Sequence, residues 1–181
     1  MTRALMIMLA GLVLAACAAL HTGSDFDHAT DFSRYHSFAW LPGAHHGGRN
    51  PLNVRRVREA VESELGGKGF VLATDPAQAD MLVNFTIGSR ERTDVSTYPV
   101  GFRGPWRWGA PYFGNAVDIH TYREGTLAID VFDGRSRQPF WHGWAKKQLS
   151  QSDQASPEAP LRAAVAAILV PLPRSAQPVV K

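Results

Sequence analysis

The sequence predicts an α+β fold, an antiparallel or mixed β-sheet with two amphipathic helices packed on one face. Short segments with alternating apolar residues indicate strands, and two other segments repeat apolar residues at helical spacing. The order of these segments along the chain favours one sheet covered by both helices. Of the 181 residues, 45% are hydrophobic and 19% charged, which suits a single globular core.

The first strand and the first helix follow one another. Residues 35–41, YHSFAWL, place Phe38 and Trp40 on one face of a strand. After a break rich in glycine and proline, residues 53–66 predict a helix with Asn53 as its N-cap. Its apolar stripe consists of Val54, Val57, Val61 and Leu65.

The next strands are predicted at residues 69–74 and 81–88, and a hairpin is predicted at 125–145. In the 81–88 strand the core face is Met81, Val83, Phe85 and Ile87. The hairpin turns at Asp133-Gly134, and its core face is Leu127, Ile129 and Val131. Pro139 is expected at the start or edge of the second strand, because proline cannot donate a ladder hydrogen bond.

The last helix is predicted after SDQASPEAP, where Ser156 and Pro157 suit a helix start and Pro171 ends it. Its apolar stripe consists of Leu161, Ala164, Val165, Ile168 and Leu169.

An apolar run at residues 4–20 follows a single arginine, which is the order of a secretory signal. Within it, Leu14-Ala15-Ala16-Cys17 resembles a bacterial lipobox, which implies cleavage after residue 16 and diacylglycerol and acyl chains on Cys17. Several acyl chains hold a protein stably on a membrane. No aspartate follows Cys17, which favours the outer membrane, facing the periplasm, over the inner membrane. An uncleaved signal anchor and a reactive cysteine are the alternatives.

These segments predict the domain organisation. Residues 1–16 are the signal peptide, and 17–34, polar and without a period after the apolar run, are the lipid anchor and a tether. Phe26 and Phe32 of this tether could dock back onto the fold. Residues 35–171 form a single α+β domain, and 172–181 form a disordered tail.

Several motifs resemble the domain-of-unknown-function 4136 family of bacterial lipoproteins. They are YHSFAW, GGKGFVLA, ADMLVNF, YREGTLAIDVFD and FWHGWA. The resemblance covers residues 25–170 and is most specific over 122–145, although His142 stands where many relatives carry arginine. It implies a cell-envelope location and a small α+β domain, with no established catalytic activity.

The segment 89–121 is long for a loop and is therefore either functional or partly stranded. It contains the candidate ligand surface Arg103, Trp106, Arg107, Trp108 and Tyr112. Aromatic rings beside guanidinium groups can stack on an envelope glycan or contact another protein. The alternative is that these rings cover the second face of the sheet.

No catalytic, metal-binding or cofactor-binding residue is predicted. The pair His45-His46 lacks ligand spacing, whereas His36, His120 and His142 could converge in the fold. The carboxylates Glu124, Asp130 and Asp133 are candidates for acid/base work, but Asp133 is more simply a turn residue.

The sequence therefore predicts a lipid-anchored envelope protein that serves as a structural or interaction module. Its expected partners are the membrane, through Cys17, and an envelope protein or glycan; the scattered basic residues exclude a nucleic-acid footprint. The alternative is an envelope-acting hydrolase or glycan-binding enzyme whose cleft is formed by residues 98–122.

Overall fold

The computed structural model describes residues 20–43, 50–102 and 112–176, which build a six-stranded mixed sheet. Its strands are β1 (His21–Phe26), β2 (Ser37–Trp40), β3 (Val71–Leu72), β4 (Met81–Phe102), β5 (Tyr112–Asp133) and β6 (Pro139–Gln148). Their spatial order is β1-β6-β5-β4-β2-β3, in which β2 runs parallel to β3 and β4 and all other pairs are antiparallel. The predicted α+β class is confirmed.

Three helices complete the described fold: α1 (Pro51–Gly67), α2 (Gln151–Ala155) and α3 (Glu158–Leu169). Helix α1 begins earlier than predicted, since the side chain of Asn50 accepts the N–H of Leu52 at 2.9 Å and Pro51 occupies the first turn. A proline is tolerated there because that N–H has no helical partner. The short α2 was not predicted, and a capping box between Ser150 and Asp153 holds its start.

Both long helices pack on one side of the sheet, which we call the inner face. Their buried residues are Val57, Ala60, Val61 and Leu65 on α1 and Ala164, Val165, Ile168 and Leu169 on α3. Opposite them lie the predicted core residues of the sheet: Met81, Val83, Phe85, Leu127, Ile129 and Val131. At Gly143 a Cβ would overlap the Trp141 ring and lie 2.7 Å from Ile168. This glycine therefore allows α3 to approach β6 closely.

The opposite, outer face has only a small apolar cluster. Ala39, Ala79 and Leu82 are buried there, with Leu41, Ala73 and Phe132 partly buried around them. No helix residue belongs to this cluster.

The N-terminal segment corrects the predicted tether at 17–34 from residue 20 onward, whereas residues 17–19 lie outside the described part. Residues 21–26 form edge strand β1, which pairs along β6 from His21↔Lys146 to Phe26↔Trp141. Phe32 packs edge-on against Phe140 at 5.7 Å, and Leu20 packs against the main core. An edge strand held by backbone hydrogen bonds needs no apolar period, so the sequence pattern did not reveal it.

The C-terminal segment corrects the predicted disordered tail at 172–181 as far as residue 176. Leu172 is 2% exposed, and its carbonyl accepts a hydrogen bond from Lys68 Nζ at 2.9 Å. The N–H of Ser175 donates to the carbonyl of Lys68 at 3.0 Å. The segment is thus fastened to the end of α1, whereas residues 177–181 lie outside the described part.

The sequence allows either a loop or partly stranded structure for the segment 89–121, and the structure shows that it is largely stranded. Strands β4 and β5 pair continuously from Met81↔Asp133 to Phe102↔Tyr112. Strand β6 accompanies β5 only as far as Glu124↔Gln148, and β2 accompanies β4 only as far as Val83. Residues 91–102 and 112–123 therefore project as a two-stranded antiparallel ribbon, which we call the ribbon.

Among the described helices, none combines the length and the apolar character required to cross a membrane.

Candidate functional site

The ribbon has an apolar face that continues the inner face of the sheet. Its cross-strand pairs are Thr93↔Thr121, Val95↔Ile119 and Thr97↔Val117. Val95, Val117 and Ile119 are 62%, 58% and 64% exposed, which makes them some of the most exposed large apolar side chains described. Within the described chain, this row of β-branched side chains is thus left open to its surroundings.

The other face of the ribbon is polar and continues the outer face. Its pairs are Arg92↔Tyr122, Asp94↔His120 and Ser96↔Asp118. The His120 ring lies 6.3 Å from the ring of Tyr122, and partial desolvation together with the Asp94 carboxylate raises the pKa of Tyr122. The ribbon is therefore amphipathic across its thickness.

Charged side chains fix the base of the ribbon to the sheet. The carboxylate of Glu124 accepts hydrogen bonds from Arg90 at 2.9 Å and from Arg92 at 3.4 Å. The Arg90 bond is the main reason that the pKa of Glu124 is lowered. On the other face Arg123 donates to Gln154 at 3.2 Å. Glu124, a candidate acid/base group in the sequence, is thus engaged in holding the ribbon.

A groove of about 790 Å³ lies beside this base, between the inner face and α3. Leu20, Ile87 and Leu161 contribute to its apolar wall. At its rim Lys147 donates to Asp153 at 2.9 Å. These two charged groups are therefore bonded to each other rather than directed at a ligand.

The outer face carries a histidine–aspartate pair in the centre of the sheet. His142 Nδ1 lies 2.6 Å from Asp130 Oδ1, and the register places Asp25 of β1 opposite His142. On the other side of Asp130 stands Asn84, whose Oδ1 is buried without a hydrogen-bond partner. An aspartate can orient a histidine for proton transfer, but a covalent mechanism also requires a nucleophile within hydrogen-bond reach. Among the residues that the structure describes, the hydrogen bonds of His142 and Asp130 involve no such group.

The structure does not bring the other candidate groups together. His36 bonds to Ser175 at 3.2 Å near the C-terminal segment, whereas His120 lies on the ribbon. Asp133 accepts the hydroxyl of Tyr35 at 3.0 Å and N–H groups of its own turn, as a turn residue would. Within the described ranges, no cluster of three or more His, Cys, Asp or Glu side chains could hold a metal ion.

The predicted ligand surface falls mostly outside the described residues. Arg103, Trp106, Arg107 and Trp108 lie there, as do Cys17 and the pair His45-His46. Tyr112 begins β5, and only its backbone is described. Of the alternative cleft at 98–122, residues 98–102 and 112–122 belong to the two strands of the ribbon.

Sequence reasoning missed the apolar face of the ribbon. The signal was present, because TDVST and AVDIHT carry a β-branched residue at every second position. The aromatic segment between these stretches is the more conspicuous feature of the sequence, although the alternation on either side of it predicts the paired strands.

Comparison with known proteins identifies the family. The model of DUF4136, a domain of unknown function, matches residues 22–173. A DUF4136 family protein from Bacteroides thetaiotaomicron has a similar structure, with 11% identity and a TM-score of 0.51 over 84% of this chain and 95% of that one. PelC from Paraburkholderia phytofirmans, a dodecamer, gives 11% identity and a TM-score of 0.51 over 88% of this chain and all of its own.

A PDZ domain protein from Parabacteroides distasonis is similar at 14% identity and a TM-score of 0.50, over 97% of this chain but 40% of that one. At these identities the structural similarities show the fold alone. No curated protein matches the chain. Because the family model spans most of the sequence, from residue 22 to residue 173, the chain belongs to the DUF4136 family.

Proposed function

We propose that this protein is a lipid-anchored module of the bacterial cell envelope that functions by binding, with the ribbon as its contact element. The anchor is Cys17, and the domain faces the periplasm from the outer membrane. The observation that carries the proposal is the ribbon itself, a long pair of strands with an exposed apolar face.

A two-stranded ribbon alone is only marginally stable in water. Beyond Arg123 this ribbon has no third strand in the described chain, so both of its edges present unpaired backbone groups. Its apolar face keeps Val95, Val117 and Ile119 exposed. Burial of these side chains against a partner would stabilise the ribbon, which is what a contact element requires.

The anchoring half of the proposal is supported by the lipobox-like sequence Leu14-Ala15-Ala16-Cys17. Leu20, three residues after Cys17, packs against the core. A lipidated Cys17 would therefore hold the domain close to the membrane surface.

A binding role is also supported by the chemistry of the domain. Several charged groups that could take part in acid/base chemistry are engaged in structural contacts instead. The Glu124 carboxylate is bonded to arginines, Lys147 is bonded to Asp153, and Asp133 stabilises a turn. PelC, which has a similar fold, is a dodecamer. A protein that assembles with other copies of itself is one example of the binding role proposed here.

Metabolic labelling with palmitate tests the anchor. The wild-type chain should incorporate label and the Cys17→Ser variant should not, because the thiol is the acceptor of the diacylglycerol group. Equal labelling of the two proteins would rule out the lipoprotein assignment.

Limited trypsin digestion tests the ribbon as a contact element. Arg92 and Arg123 are cleavage sites on its two strands, and both are exposed. Cleavage at these sites should be many times slower in envelope membranes than in the detergent-solubilised protein, with α1 as an internal reference. Equal rates in both preparations would mean that the ribbon contacts nothing in the envelope.

A further inference from the structure

The end of the sheet from which the ribbon projects is also the end at which β1 begins. His21 pairs with Lys146, Lys146 with Thr126, and Thr126 with Gly88, so all four residues lie on one line across the sheet. Only a few rows beyond this line β4 and β5 continue as the ribbon. The chain before His21 therefore leaves the fold on the ribbon side.

At this end of the sheet, the chain between Leu20 and Cys17 is much shorter than the ribbon. Cys17 is three residues from Leu20, and an extended chain of that length spans at most about 11 Å. The ribbon strand 91–102, at about 3.3 Å per residue, extends roughly 40 Å. If Cys17 is held in a bilayer, the body lies too close to the bilayer for a ribbon of that length to point straight toward it.

The backbone of the ribbon also excludes passage through the hydrocarbon region. The carbonyl of Arg123 still accepts the N–H of Leu149, but beyond Arg123 no further strand pairs with either edge in the described chain. Unpaired N–H and carbonyl groups are not tolerated in lipid. An arrangement that satisfies both limits is one in which the ribbon lies along the membrane surface.

The two faces of the ribbon match such a position. Val95, Val117 and Ile119 lie on one face. That face carries charge at its base, in the Glu91–Arg123 ion pair, whereas the other face carries Asp94 and Asp118 further along the ribbon. An element with one apolar and one charged face lies in the plane of the interface, with its apolar side at the boundary of the acyl chains.

A second copy of the chain fits the same face less well. Two strands are about 10 Å wide, so a ribbon of roughly 40 Å offers about 400 Å² on one face. Stable protein interfaces bury about 800 Å² on each partner. Face-to-face stacking of two ribbons would supply only about half of that area.

We propose that the apolar face of the ribbon, formed by Val95, Val117 and Ile119, rests on the lipid surface in which Cys17 is anchored. Its polar face then points to the aqueous side. This inference rests on the proposed lipidation of Cys17.

Single introduced cysteines test the inference in the full lipidated chain. The sequence has one cysteine, Cys17, which lipidation would block, so each new thiol is the only one available for labelling. Val95→Cys and Ile119→Cys report on the apolar face, and their neighbours Asp94→Cys and His120→Cys are matched controls on the polar face. Each protein is labelled with an environment-sensitive fluorophore and reconstituted into vesicles of phosphatidylethanolamine and phosphatidylglycerol that contain doxyl-labelled lipid.

Quenching at positions 95 and 119 should be several-fold stronger than at positions 94 and 120. Equal quenching at all four positions, or none at any, would overturn the inference. Lipid-independent protection of positions 95 and 119 that increases with protein concentration would also overturn it and would identify a second copy as the partner.

Palmitate incorporation, measured on the same samples, separates the two proposals. Protein that carries no palmitate contradicts the anchor. Protein that carries palmitate but shows no preferential quenching at 95 and 119 contradicts only the position of the ribbon. Matching thermal unfolding curves for the four variants verify that the body of each is folded.

Discussion

Strands β4 and β5 run through two very different surroundings, the body of the sheet and the ribbon. In the body, Phe85 and Ile129 are paired across the two strands and fully buried beneath the helices. In the ribbon, Val95 and Ile119 are paired in the same way and are mostly exposed. The same strand pair and the same residue alternation thus build the buried core in one half and leave an exposed apolar row in the other.

The change occurs at a defined row. Glu124 is the last residue of β5 paired with β6, and there it accepts hydrogen bonds from Arg90 and Arg92. Burial stabilises the sheet up to this row, whereas beyond it the described contacts are mainly those between the two strands. The buried length of the hairpin and the length that we propose as a contact surface therefore meet at this row.

The largest expected effect contrasts a buried and an exposed side chain of β4. Phe85→Ala removes a ring that is fully buried and packed edge-on against Trp40, which should lower the free energy of unfolding by about 3–5 kcal/mol. Val95→Ala should change it by less than about 0.5 kcal/mol, because the side chain is exposed. Urea denaturation measures both, and a comparable loss at Val95 would show that the ribbon belongs to the folded core.

A smaller effect is expected where a carboxylate joins β2 to the start of β4. Asp80 accepts hydrogen bonds from the N–H groups of His36 and Ser37 at 3.0 and 2.9 Å, so Asp80→Ala leaves backbone donors unpaired. The expected loss is about 1–3 kcal/mol. The matched change on the ribbon, Asp118→Ala, should have almost no effect on the unfolding midpoint.

The same carboxylate predicts a pH dependence. Burial raises the pKa of Asp80, but the hydrogen bonds from His36 and Ser37 outweigh burial, and the pKa is lowered from 3.8. Stability from this group is therefore fully present above the unfolded-state pKa and is lost as the pH falls through the lower folded-state value. Asp80→Asn should show a weaker loss of stability in this acidic range, and parallel acid-unfolding curves for the two proteins would contradict the assignment.

The next effect concerns the packing of α3 on β6. Gly143→Ala places a methyl group against Trp141 and Ile168, which should cost about 1–3 kcal/mol through overpacking. Gly88→Ala is the control at the start of the ribbon side, where the added carbon would meet only Thr126 Oγ1 at 3.3 Å. Thermal unfolding should separate the two variants clearly, and equal midpoints would mean that α3 does not depend on this close approach.

The smallest expected effect is at the base of the ribbon. Glu124→Gln removes the negative charge that Arg90 and Arg92 face across the strands. Because the pKa of Glu124 is lowered in the fold, the wild-type contacts hold above the unfolded-state pKa and weaken as the pH falls through the folded value. Amide exchange at neutral pH should become faster in the ribbon of the variant, with little change in the body. Faster exchange throughout the sheet would contradict a local role.

The parts of the fold that the sequence predicts are those with a buried face. Alternation in residues 81–88 and the helical stripe from Val57 to Leu65 both come from packing against the inner core. Strand β1, with the sequence HTGSDF, has no alternating apolar residues. Its pairing with β6 depends on backbone hydrogen bonds, which do not require such a pattern. Edge strands of this kind are held by their neighbours rather than by their own pattern.

The contact between His142 and Asp130 on the outer face shows a second limit to prediction from sequence. The sequence indicates that His142 and Asp130 lie on adjacent strands, but their contact depends on the register of β5 and β6. That register shifts at a bulge, since Val131 pairs with Trp141 and Phe132 with Pro139. An irregularity of one residue moves side chains to the other face of a sheet, and its position follows from three-dimensional packing.

The pairing of β1 with β6 also has a consequence for the order of folding. His21 meets Lys146, and almost the whole domain lies between them along the chain. Such a contact has a high sequence separation, so it forms only after the intervening strands are available. We therefore expect the edge formed by β1 to be the last part of the sheet to close, with β1 accessible until β6 has been synthesised.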